Sequence, residues 1–169
     1  MQANNKQSYF LELYQPHHQK LLRYCESILK DSTDAEDLVS ETVLIAYQDL
    51  HKLKKVEAFN YYLFGIARNL IRRKYRRKKF WGAFDKEQAD QLPATQNPEL
   101  DMDVRLLYDA LDKLPEAQKE ALILFELSGY SIKEVAAIQN SGLSAVKARL
   151  ARGRKQLAKL LTSKVLTYD

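Results

Sequence analysis

Apolar residues recur at helical spacing through both halves of the chain, and this period limits the fold more than any other feature. Leu21, Cys25, Ile28 and Leu29 share one helix face, as do Val39, Val43, Ala46 and Leu50. Phe59, Leu63, Ile66 and Leu70 repeat the pattern, then Val104, Leu107, Tyr108 and Leu111, and finally Val146, Leu150 and Leu157. Only five glycines and four prolines punctuate 169 residues. That is too few for an all-β chain built on tight turns. The expected class is all-α, as two small helical domains joined by a flexible linker.

Local signals divide the helices. Pro16 interrupts the first pattern and suits the first position of a new helix. Thr33 followed by Glu36 reads as a capping box opening a helix to about residue 50. A longer helix is expected over 57–79. Residues 80–103 are acidic, contain Pro93 and Pro98 and lack a sustained period, which reads as a linker. Phe80, Trp81 and Phe84 at its start are expected to pack on the first domain. Beyond it, a helix ends before Pro115, and another runs over 115–127 to Gly129. Ser131 with Glu134 reads as a second capping box, and 140–142 as a turn before the last helix. Two short helices, a tight turn and a basic second helix make a helix-turn-helix pattern. The domain boundaries fall at 1–80, 81–102 and 103–169.

The net charge of +5 conceals single-sign blocks. Residues 31–49 hold six acids and no base, and residues 68–79 hold eight bases and no acid. Residues 145–164 add seven bases and no acid. Solvated helices usually mix signs, so such blocks suggest distinct surfaces. Asp34, Asp37 and Glu41 stand at i, i+3 and i+7 and share an exposed face. Arg68, Arg72 and Arg76 form one row, and Asn69, Arg73 and Arg77 the row beside it. Like charges at that spacing cost a few tenths of a kcal/mol per pair, which an external polyanion would offset.

Catalytic patterns are missing. There is no glycine-rich phosphate loop and no serine in a nucleophile elbow. The single cysteine, Cys25, excludes an intrachain disulfide and a cysteine zinc site. His17 and His18 are adjacent and point to different helix faces; with His51 they read as surface residues. No enzyme, cofactor, metal site or small-molecule substrate is expected. The chain has no apolar run near the ~18 residues of a membrane span and no signal-peptide core at its start, so a cytoplasmic location is expected.

Taken in order, several motifs resemble the extracytoplasmic-function group of bacterial RNA polymerase sigma factors. They are Asp34-Ala35-Glu36-Asp37-Leu38-Val39-Ser40-Glu41-Thr42, Phe59 with Ile66-Ala67-Arg68-Asn69-Leu70, and Leu114-Pro115-Glu116. Gly129-Tyr130-Ser131-Ile132-Lys133-Glu134-Val135-Ala136 and Val146-Lys147-Ala148-Arg149-Leu150 complete the set. The resemblance covers about 9–161 and is far more specific than a lone helix-turn-helix.

It implies that Asp34, Asp37 and Glu41 dock on the clamp helices of core RNA polymerase. It implies that Tyr61, Tyr62, Asn69, Arg72, Arg73, Arg76 and Arg77 meet the downstream promoter element. It implies that Ser144, Lys147, Arg149, Arg152 and Lys155 meet the upstream element from the major groove, with Lys147, Arg149 and Arg152 foremost. The implied partners are core polymerase, promoter DNA and an anti-sigma factor, through which alone a membrane would be reached. The family often has Trp where Tyr62 stands and an acid where Arg73 stands. Its Leu-Gly-Ile/Val-Ser turn is replaced here by Gln139, Asn140, Ser141 and Gly142. A stand-alone helix-turn-helix regulator is the alternative; it explains the last helix but neither the acidic face nor the basic run at 68–79.

Overall fold

In the computed structural model, residues 2–82 and 102–167 are described, and every regular element among them is helical. The chain divides into two compact units, Met1–Pro93 and Ala94–Asp169. Most of the expected linker, with Phe84, lies outside the described residues, and the side chains of Phe80 and Trp81 lie outside them too.

In the first unit α1 (Gln2–Tyr14) runs through a 3-10 turn at Gln15–His17 into α2 (His18–Leu29). Pro16 sits in the first turn of that short helix, where its missing N–H costs nothing. Lys30 ends α2 in the left-handed conformation, φ 60°, and its N–H donates to the Glu26 carbonyl. α3 (Ser32–Gln48) follows, then 3-10 turns at Leu50–Lys52 and Val56–Ala58, then α4 (Phe59–Gly82). α2 packs on α3, and α3 on α4. The core is aromatic at both ends. Phe10 meets Tyr47 and Phe59 edge-on, with ring centroids 5.4 and 5.8 Å away, and Tyr24 lies 5.2 Å from Phe64. Full burial of side chains such as Tyr24, Phe64, Leu21 and Leu63 contributes roughly 1.5–3 kcal/mol each.

The sequence expectations need three adjustments here. The cap of α3 is Asp31, not Thr33; the Asp31 carboxylate accepts from the Asp34 N–H at 2.9 Å. The buried stripe of α3 is Ala35, Leu38, Val39, Thr42 and Ala46, while Val43 is only half-buried. Thr42 can take an apolar place because its hydroxyl donates to the Leu38 carbonyl at 2.7 Å. In α4, Phe64, Ala67 and Ile71 join Phe59, Leu63 and Leu70 inside, and Ile66 is half-buried.

The second unit holds α5 (Met102–Asp112), α6 (Glu116–Leu122), a π-helical turn at Ile123–Leu127, α7 (Ile132–Ile138) and α8 (Leu143–Thr167). The expected single helix over 115–127 therefore widens in its last turn. Gly129 follows at φ 77°, a conformation that glycine adopts without strain. The second capping box forms as expected: the Ser131 N–H donates to Glu134 Oε2 at 2.8 Å, and the Glu134 N–H to Ser131 Oγ at 3.2 Å. α8 packs on α5, α6 and α7. Val146 and Leu150 are buried, Leu157 only partly, and Gly153 fills the position between them. A Cβ on Gly153 would stand 2.9 Å from Leu122 Cδ1, so the absent side chain is what lets α8 approach α6.

Candidate functional site

Within the first unit the acidic and basic faces are built on neighbouring helices. Asp37 and Glu41 are exposed on α3 and have no ion-pair partner among the described residues. Asp34 differs: its carboxylate lies 3.1 Å from the Lys74 ammonium on α4, with both side chains about half-exposed. Leu44, 55% exposed, continues the Asp37–Glu41 row by one turn. Leu44 is not among the residues that the sequence marks for this face; its only signal there is an apolar side chain at i+7 from Asp37.

On α4, Asn69, Arg72, Arg73, Arg76 and Arg77 are all exposed and form one stripe. Lys74 and Tyr75 leave it. Lys74 reaches Asp34, and the Tyr75 hydroxyl donates to the Ile28 carbonyl at 3.2 Å. These two contacts tie α4 to α3 and to the end of α2, and so hold the arginine stripe outward. Tyr61 and Tyr62 stand in the first turn of α4, both half-buried. The Tyr62 ring lies 6.4 Å from Phe59, and its hydroxyl is buried with no hydrogen-bond partner among the described residues. Burial, with the charge of Asp49 adding, raises the Tyr62 pKa above its ordinary value.

In the second unit Ser144, Lys147, Arg152 and Lys155 are exposed on α8. Arg149 is half-buried and engaged inside the unit. Its Nη1 donates to Gln139 Oε1 at 2.9 Å and to Ser141 Oγ at 2.8 Å. Gln139 Nε2 in turn donates to the Ala117 carbonyl at 3.0 Å and to Glu120 Oε1 at 2.9 Å. Arg154, though exposed, is paired within the unit, with Glu126 at 2.6 Å and over the Phe125 ring at 5.4 Å. Five candidates thus stand on one helix, and the structure brings four of them to one open face.

Among the described residues no cluster of His, Cys, Asp and Glu could hold a metal ion, and no helix is long and apolar enough to cross a membrane. The Tyr14 hydroxyl and His18 Nδ1 share a hydrogen bond, and the His17 ring lies 6.0 Å from Phe59. His18 thus joins α2 to the end of α1, and His17 packs beside the first residue of α4.

Residues 13–80 match the family described as sigma-70 region 2, and residues 105–157 match sigma-70 region 4. The extracytoplasmic-function RNA polymerase sigma factor EcfG of Rhodopseudomonas palustris is 34% identical over 142 residues, covering 83% of this chain and 78% of that protein. The RNA polymerase sigma factor NccH of Alcaligenes xylosoxydans xylosoxydans is 30% identical, covering 95% and 91%. Among solved structures, CnrH in complex with the cytosolic domain of CnrY superposes with a TM-score of 0.71 at 26% identity, covering 93% of this chain and 90% of that one. The sigma factor RpoE of Bartonella quintana, in complex with the anti-sigma factor NepR, gives 0.67 at 27%, covering 90% and 98%. A stand-alone helix-turn-helix regulator would leave the region 2 match without a role.

Proposed function

The chain belongs to the extracytoplasmic-function group of sigma-70-family RNA polymerase sigma factors, and from that premise we propose which of its surfaces carries each step. It binds core RNA polymerase and directs promoter recognition and transcription initiation. The observation that carries this is the succession of a region 2 match and a region 4 match in one chain.

In our reading residues 1–80 and 103–169 are the working domains, and 81–102 joins them. Asp37 and Glu41, with Leu44 beside them and Asp34 at the edge, dock on core polymerase. Open carboxylates around an apolar side chain suit a basic helical partner. Arg72, Arg73, Arg76 and Arg77 take phosphates of the downstream element, with Asn69 on the same stripe. Tyr61 and Tyr62, at the start of α4, pack against an unstacked base there. Ser144, Lys147, Arg152 and Lys155 approach the upstream element from the major groove. Their shared exposure on α8 supports this reading. Recognition is this chain's part; the polymerase supplies the chemistry. The proposed location is the cytoplasm. An anti-sigma factor is a proposed partner, because the CnrH complex and the RpoE–NepR complex both resemble this fold, and any membrane contact would run through such a partner.

Transcription from a genomic promoter library, reconstituted with core polymerase, tests the function. Promoter-specific initiation that requires this chain is the expected result; its absence would refute the assignment. Expressing residues 1–82 and 102–169 separately tests the division into domains, with cooperative unfolding expected from each.

A further inference from the structure

Four residues that join α7 to α8, Gln139, Asn140, Ser141 and Gly142, hold little apolar surface. Asn140 adopts the left-handed conformation at φ 51°, and the Ser141 N–H donates back to the Ala136 carbonyl at 2.9 Å. Gly142 accepts the first backbone bond of α8, from Val146 at 3.2 Å, but has no side chain to cap that helix. The Ser141 hydroxyl, one residue earlier, accepts from Arg149. The entry to α8 is therefore held by a polar relay. It runs from Ala117 and Glu120 on α6, through Gln139 at the end of α7, to Arg149 on α8 and back to Ser141.

Two features of the relay make it directional. Gln139 is buried, and both hydrogens of its amide can be used, one on Ala117 and one on Glu120. Its oxygen then faces Arg149, which can only donate. A flipped amide would set two donors against the guanidinium, so Arg149 and Gln139 fix each other's orientation. Arg149 lies about 160° around the helix from Lys147 and about 60° from Arg152, so it stands at the border of the exposed row, where its side chain can turn to Gln139 and Ser141.

We propose that Arg149 is a positioning residue for upstream promoter recognition: its guanidinium holds the α7–α8 turn through Gln139 and Ser141 and so sets the angle at which Ser144, Lys147 and Arg152 meet DNA, without touching DNA itself. The proposal rests on the reading of α8 as the helix that meets the upstream element. A base-contacting arginine governs preference at the base pair it reads. A phosphate-contacting arginine adds affinity with about one unit of salt slope. A positioning arginine spreads its effect over several base pairs and leaves the slope alone.

The test is promoter-library transcription and salt-dependent promoter binding by holoenzyme carrying Arg149→Ala, Arg149→Lys, or Gln139→Leu with Ser141→Ala. Arg149→Ala is expected to cut discrimination at the upstream element by about tenfold, the size of a lost charge-assisted hydrogen bond. The loss is spread over several base pairs, with an unchanged salt slope. Both bonds leave a single nitrogen, so the Lys ammonium can make them, and Arg149→Lys should keep most of the preference. The variant lacking both acceptors should flatten preference as Arg149→Ala does, and adding Arg149→Ala to it should cost nothing more. If Arg149→Ala does not fold, that acceptor variant carries the test alone.

A change confined to one base pair, a salt slope lower by about one, or unaltered preference would each overturn the proposal. Lys147→Ala and Arg152→Ala separate the two levels. If they shift preference and the Arg149 and acceptor variants do not, only the positioning role falls. If none of them does, the reading of α8 falls with it.

Discussion

Replacing Asp37 and Glu41 together by lysine should abolish productive docking on core polymerase while leaving the first unit folded. Neither carboxylate has an ion-pair partner among the described residues, so no internal bridge is lost. The two stand at i, i+4 and already repel; two lysines would repel by a similar few tenths of a kcal/mol. A lysine at 37 would gain a comparable attraction from Asp34 at i−3. The net change in stability should stay within about 0.5 kcal/mol, a shift of roughly 2–4 °C for a unit of this size. Binding should suffer more, because each reversal replaces an attraction with a repulsion at a matched surface. A loss of at least ~2 kcal/mol is expected, which is about thirtyfold in Kd. Fluorescence anisotropy against core polymerase at two salt concentrations measures both terms. The wild-type chain should lose affinity as salt rises, and the variant should lose less. Glu36, exposed on α3 but about 100° away from Asp37, serves as the control site. A folded double variant that binds within twofold of wild type would refute the docking surface, as would an equal loss from Glu36→Lys.

Arg76→Ala should weaken promoters broadly and lower the salt slope of promoter binding by about one, read by filter binding from 50 to 200 mM salt. Asp112→Ala should destabilise the second unit by roughly 1–3 kcal/mol, read by chemical denaturation, because it leaves the nearly buried Lys119 ammonium without the carboxylate 2.6 Å away. Burial, with the Glu26 charge adding, pushes the Cys25 thiol up to about 12 from 9.0. The folded chain therefore holds that proton more tightly than the unfolded one, and stability should fall as pH rises above about 9. Cys25→Ala should flatten that fall in melting scans, and in the wild-type chain thiol reagents at pH 8 should label Cys25 no faster than it unfolds.

The periodic stripes led to the helices and to most of the core, because a 3.6-residue period survives small errors in where it starts. Helix starts were less legible. Asp31 and Thr33 are both good caps, and the choice was made by Lys30, whose left-handed conformation turns the chain two residues early. Thr42 was hidden for a related reason: composition treats it as polar, but a hydroxyl bonded to its own helix packs like an apolar group. The acidic and basic faces could be read directly, since charge sign is visible in a sequence and helical rows follow from spacing. Their partners could not. Nothing in the spacing says that Lys74 reaches Asp34, or that Arg149 faces Gln139 while Arg152 stays open. Such choices depend on which helix lies alongside, a property of tertiary packing alone.

Acids along α3 and arginines along α4, joined at one place by Asp34 and Lys74, make the first unit an electric dipole. In the field of DNA a dipole feels a torque before it makes a contact. The torque favours the orientation in which the arginines of α4 lie nearer the duplex than the acids of α3. Orientation is thus partly selected during approach, over a range of about 8 Å at physiological ionic strength. A free chain drifting near DNA would hold its acids farther from the duplex than its arginines, open to a basic surface.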